Sequence, residues 1–141
     1  MKISILLPYK ENYSPKYPGA VSLFIYSINK ISIFKKETTV YGNTNLKEKF
    51  SKNYINISLN KNSLFTSQSK EYVNKFITLH NDNESDIVEI HNRPNYVSLI
   101  KKINSKIVLY FHNDPISMIG SKTTRERINL LSICEKIIFN S

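Results

Sequence analysis

The segment Asp86-Ile87-Val88-Glu89-Ile90-His91-Asn92-Arg93-Pro94, with its sequel Lys106-Ile107-Val108-Leu109-Tyr110-Phe111-His112-Asn113-Asp114-Pro115, decides how this chain folds. Each begins as a short β-prone run, breaks into polar residues and closes on a proline. Between them Val97, Ile100 and Ile103 recur at helical spacing from Pro94, a residue suited to a first helical turn. A further helical stretch then leads to the run Lys136–Phe139. These are two linked strand–helix–strand units, and right-handed crossovers send all their strands the same way. Apolar residues fall on consecutive strand positions, as in strands covered on both faces. The expected fold is α/β, a mostly parallel sheet with helices on both faces.

Further strands are expected at Ile3–Leu7, Thr38–Tyr41 and Tyr54–Ile57. A helix is expected from about Pro18 to Lys35, with Val21, Phe24, Ile25, Ile28, Ile31 and Phe34 on one apolar stripe. A second covers about Ser69 to Leu79, with Tyr72, Val73, Phe76, Ile77 and Leu79 on its apolar side. The last starts near Thr123, where Thr123 and Glu126 form a capping box, and is expected to bury Ile128 and Leu131. The Asn-, Lys- and Ser-rich region Leu59 to Ser69 reads as a loop or linker, and no internal repeat is visible.

The 141 residues fit one domain. No run reaches the eighteen or so apolar residues of a membrane span. The stretch Ile3 to Pro8 is too short and wrongly flanked for a signal peptide. Cys134 is the single cysteine, which excludes an internal disulfide and favours a reducing, cytoplasmic setting. The formal charge of +9 comes from seventeen Lys and three Arg, in a chain that also holds seventeen Asn and twenty Ile. These are residues that AT-rich codons supply. The lysines are scattered, without the clustered, aromatic-interleaved pattern of a nucleic-acid surface. No nucleic-acid partner is expected; a basic face favours anionic lipid or phosphorylated substrates.

Ligands of open parallel sheets bind beyond the carboxyl ends of the strands. After the first strand comes Pro8-Tyr9-Lys10-Glu11-Asn12, then Tyr17-Pro18-Gly19-Ala20. Gly19 allows close backbone approach, and the helix start favours negative charge. Dinucleotide and P-loop patterns are absent, so this loop faces a sugar or a phosphate, or is a plain turn. After the fourth strand, the Arg93 fork suits a carboxylate or phosphate. The alternative is that Asn92 caps the helix and Arg93 pairs with a structural acid. Glu89, inside a strand expected to be buried, needs a partner such as Arg93 or a histidine. His91 and His112 end sequential strands and are expected on one rim, where a histidine bonds a sugar hydroxyl or acts as acid or base. Asp114 with both histidines suggests metal, but no third ligand has a recognisable spacing, and none is expected. His80 reads as surface and Cys134 as a buried, inert thiol.

The segments 86–94 and 110–115 resemble successive segments of the N-terminal domain of bacterial retaining glycosyltransferases of the GT-B class (glycosyl transferase group 1, family 4-like). So does the stretch from Gly120 through Thr123, Arg125, Glu126 and Arg127 to Ile137–Ser141, and Pro18-Gly19-Ala20 matches that family's first loop. The resemblance spans nearly the whole chain. It implies a single Rossmann-like domain over residues 1–141, the acceptor-side half of a two-domain hexosyltransferase. Transfer would retain anomeric configuration, using a nucleotide-sugar as co-substrate, no metal or other cofactor, and a glycan or lipid-linked acceptor. Carried over, His112 lies beside the transferred sugar as the catalytic position. Gly19 and Ala20 approach the donor phosphate or acceptor, and His91, Arg93, Asn113 and Asp114 bind substrate. The first loop holds one glycine where many relatives carry two adjacent ones. The donor-binding carboxylates and basic residues belong to a C-terminal domain that is missing here. Ser141 is therefore expected to end a fragment that is inactive alone, cytoplasmic and in peripheral contact with the inner membrane face. A stand-alone α/β ligand-binding module and a basic surface-binding protein are the alternatives.

Overall fold

The computed structural model describes residues 1–59 and 67–140. Six strands and four α-helices follow in the order β1 (Ile3–Leu6), α1 (Ala20–Ile31), β2 (Thr38–Gly42), β3 (Tyr54–Asn56), α2 (Gln68–Asn81), β4 (Ile87–His91), α3 (Pro94–Ile100), β5 (Lys106–Phe111), α4 (Thr124–Ile133) and β6 (Lys136–Phe139). They form one sheet in the order β3-β2-β1-β4-β5-β6, every pair parallel. The chain is thus a Rossmann-like α/β domain. The strands stand where the sequence placed them, with ends differing by one residue at most. The expected loop from Leu59 to Ser69 lies mostly outside the described residues, and its last two positions already belong to α2.

Crossover handedness distributes the helices. Passing from β1 to β2 moves one way across the sheet, whereas the steps β3 to β4, β4 to β5 and β5 to β6 move the other way. Right-handed connections therefore put α1 on one face and α2, α3 and α4 on the opposite face. Two apolar cores follow. The larger packs Leu6, Val88, Ile90, Leu109 and Phe111 beneath Tyr72, Phe76, Tyr96, Ile100 and Leu130. The smaller packs Ile5, Leu7 and Val40 beneath Val21, Ile25 and Tyr13. Tyr72 ties the larger core to the sheet rim by donating its hydroxyl to the Leu7 carbonyl at 3.0 Å.

Three expectations are corrected. Helix α1 is shorter than Pro18 to Lys35, because Gly19 is its extended N-cap and Ser32 turns out of helical geometry at ψ 137°. Its outer stripe is not covered: Ile28 is 45% exposed and Ile31 83%. Ile28 lines a cavity with Glu89 and Tyr110, toward the β5 side, where α1 has no neighbouring helix among the described residues.

Helix α4 has the expected capping box but is rotated, leaving Ile128 and Leu131 exposed and Leu130 buried. Arg127 fixes that rotation by donating Nη1 to the carbonyls of Ser121 (3.0 Å) and Lys122 (2.7 Å). His80, read as surface, is buried, with Nε2 3.0 Å from Ser85 Oγ and 3.2 Å from Ser105 Oγ. Cys134, the C-cap of α4, is half-buried, and burial pushes its thiol up to about 11, which keeps it protonated and unreactive.

Candidate functional site

The strand order reverses direction between β1 and β4, so the loops leaving these two strands diverge to opposite faces and open a crevice at the carboxyl edge. The β1 loop runs over residues 7–19, the β4 loop is Asn92 and Arg93, and the β5 loop runs over residues 112–123.

His91 ends β4 and faces Tyr110 of β5 in register. Its ring is stacked on Tyr110 with centroids 5.1 Å apart, and Tyr110 in turn is 5.6 Å from His112. The two histidines expected on one rim are in contact, His91 Nδ1 lying 2.9 Å from His112 Nε2. His91 is 1% exposed and sits beneath His112, which is half-buried at the rim. Phe24 of α1 presses edge-on against the His112 ring at 4.6 Å, so an apolar wall stands on that side of the imidazole. Loss of water lowers the proton affinity of His112, and the neighbouring His91 lowers it further, which favours a neutral ring near neutral pH.

Asn92 holds this arrangement. Its φ of 52° lies in the left-handed region that asparagine tolerates better than most side chains. That turn lets its backbone N–H donate to the Tyr110 carbonyl (2.8 Å) while its Oδ1 accepts from the His112 backbone N–H (2.7 Å). Its amide also reaches Asn113 Oδ1 at 3.4 Å. One residue therefore ties the ends of β4 and β5. It does not cap α3; the N-cap of that helix is Arg93.

The half-buried Arg93 donates Nη1 to the Asn92 carbonyl at 2.7 Å, and among the described residues no carboxylate forms an ion pair with it. It lines a pocket of about 230 Å³ with Ser69, Asn95 and Met118. Asp114 is exposed and uses Oδ1 to accept from the Ile116 backbone N–H at 3.0 Å, capping the short 3-10 turn Pro115–Ser117. Asn113 is exposed beside it.

At the first loop, Gly19 is half-buried and Ala20 exposed. A side chain at Gly19 would lie 1.9 Å from Glu11 Oε1, and that same oxygen accepts the Ser22 backbone N–H at 3.0 Å. Glu11 thus already meets the positive end of α1, the place where an incoming anion would bind. Glu89, the strand carboxylate, finds a histidine partner as one of its expected alternatives: Oε2 is 3.5 Å from His91 Nε2. Among the described residues no group of three or more His, Cys, Asp and Glu side chains is arranged to hold a metal ion.

Sequence reading brought His91, His112 and Arg93 to this edge and missed Asn92 as a clamp, Phe24 and Tyr110 as the ring stack, and Glu11 as a cap. Tyr110 had a signal, two residues before His112 on the same strand face. Phe24 acts across a long sequence separation and Glu11 across an irregular loop, and neither had one. No protein-family model matches the chain, and neither a curated protein nor a solved structure matches it. No helix of the described residues is long and apolar enough to cross a membrane.

Proposed function

We propose that this domain is the acceptor-side half of a retaining, nucleotide-sugar-dependent glycosyltransferase. The observation that carries this reading is His112: a neutral-leaning imidazole at the switch-point rim, backed by His91 and clamped by Asn92. Such a ring suits hydrogen bonding to a sugar hydroxyl. Arg93, a cation without an acidic partner among the described residues, supplies charge for a phosphate or carboxylate on the same edge. Asn113 and Asp114 stand at the mouth. With Glu11 on the α1 terminus, the role left to Gly19 and Ala20 is contact with an uncharged part of the ligand. The acceptor is a glycan or a lipid-linked sugar, and the domain works in the cytoplasm against the inner membrane face.

This reading requires a donor-binding partner domain. Sequence of the gene beyond codon 141 is expected to run on for ~150–250 residues of α/β pattern; a stop codon there overturns the proposal. In the enzyme from the complete gene, His112→Ala or Arg93→Ala is expected to reduce transfer about a hundredfold while the protein stays folded. Unchanged turnover in both variants removes the site assignment.

A further inference from the structure

His91 is a buried histidine whose two ring nitrogens meet different partners. Nδ1 faces His112 Nε2 at 2.9 Å, while Nε2 has no hydrogen-bond partner and faces Glu89 Oε2 at 3.5 Å. Beyond it, His112 Nδ1 lies 3.3 Å from Asn140 Nδ2 at the solvent edge. Glu89, His91, His112 and Asn140 thus form one row from the α1 face of the sheet to its rim. The inner end opens on a cavity of about 100 Å³ between the sheet and α1, lined by Glu89, His91 and Tyr110.

The inner end of this row assigns the protons along it. A carboxylate only accepts, so a lone pair on His91 Nε2 would be repelled by Glu89, and the proton sits on that nitrogen. At 3.5 Å the contact is too long for a good hydrogen bond and acts through charge, in a setting that His91 shares with little water. A neutral imidazole carries one N–H, so His91 Nδ1 must accept and His112 Nε2 must donate. The lone pair of His112 is then on Nδ1, at the rim. The Asn140 amide opposite it can donate from Nδ2 but can also turn, so it accommodates this arrangement without dictating it.

We propose that Glu89 and His91 are positioning residues that fix His112 as the Nε2–H tautomer, so that its Nδ1 lone pair accepts a hydrogen bond from a hydroxyl of a sugar-like, polyhydroxylated ligand. The identity of that ligand rests on the glycosyltransferase reading; the tautomer does not. His112 binds hydroxyl donors in this state and has no N–H at the rim for an anion. Glu89 never touches the ligand and acts through His91 alone.

The test is the tautomeric state of each histidine, read from long-range ¹H–¹⁵N correlation spectra of the uniformly labelled chain above the ordinary histidine pKa. Both His91 and His112 are expected to show a protonated Nε2 and an unprotonated Nδ1. In Glu89→Gln the carboxamide can donate as well as accept, and both rings are expected to lose their fixed tautomer. His80, at the opposite edge with Ser85 and Ser105, is expected to keep its signals. A protonated His112 Nδ1 in the wild type overturns the proposal, and that measurement stands even where the variant fails to fold. An unchanged tautomer in a folded Glu89→Gln overturns it too, leaving Glu89 a merely structural role. Titration of the protein from the complete gene, labelled in the same way, with methyl hexosides and UDP-hexoses separates the two readings. In the protein from the complete gene, fixed tautomers with no ligand-induced shift at His112 keep the row and remove the glycosyltransferase assignment. Binding that is lost in Glu89→Gln supports both.

Discussion

Burial lowers the proton affinity of two histidines at opposite edges of the sheet. For His80 the loss of water outweighs the nearby Glu84 charge, and for His112 the loss of water is joined by electrostatic repulsion from His91. Each folded pKa lies below the ordinary value of 6.5, so on acidification the unfolded chain takes up these protons first. The stability they contribute is complete above 6.5 and is lost as pH falls through the folded values. The urea midpoint is expected to be level above about pH 7 and to decline below it, with His112→Gln declining less steeply. Equal slopes in wild type and variant contradict that origin. The rim pair was legible because strands joined by one helix are neighbours, which brings their terminal residues together. His80 was not, because its burial depends on Ser85 and Ser105, the latter 25 residues away, while its own position at a helix end looks polar.

Two glycines at element junctions show how the neighbour, more than the distance, sets the cost of a side chain. A methyl at Gly19 would meet Glu11 Oε1 at 1.9 Å, but that atom ends a flexible side chain and can swing away. What is lost is the cap on the Ser22 N–H, so Gly19→Ala is expected to cost about 1 kcal/mol. Glu11→Ala removes the same contact, and the double variant should be no less stable than the worse single one. Additive costs would separate the two residues. At Gly120 the methyl would lie 2.5 Å from the Asn95 backbone nitrogen with φ at +97°, where nothing can swing away. Gly120→Ala is therefore expected to cost about 2 kcal/mol or more in the same denaturation assay. A cost below that of Gly19→Ala would mean the 112–123 loop is free to lift from α3. The periodicity of α1 and α4 announced the helices but misjudged which residues they bury. Periodicity fixes the angular spacing of a stripe, whereas the Arg127 bonds and the uneven cover of the α1 face, both tertiary, decide how much of it is covered.

The sheet order 3-2-1-4-5-6 ends in the parallel steps β4 to β5 to β6, each through one helix, and that is why a parallel fold could be read from two strand–helix–strand units alone. Charge is the molecular property that the fold does not neutralise. Twenty basic side chains face eleven acidic ones, a net +9, and only three ion pairs occur among the described residues. One of those is Glu89 with a histidine, leaving two that join lysine to glutamate. Most lysines therefore repel one another across the surface rather than pairing. Screening acts on that repulsion, because the Debye length shrinks from about 30 Å at 0.01 M salt to about 8 Å at 0.15 M. Unfolding spreads the charges and already relieves them, so salt stabilises the folded chain more than the unfolded one. Adding sodium chloride over that range is expected to raise the melting midpoint, by about 4 °C if screening contributes about 1 kcal/mol. Sodium sulfate at equal ionic strength adds surface exclusion to screening and should stabilise further, equally in wild type and Arg93→Ala. A sulfate increment that disappears in Arg93→Ala would instead locate an anion on that guanidinium, the one arrangement in which the basic composition serves the candidate site directly.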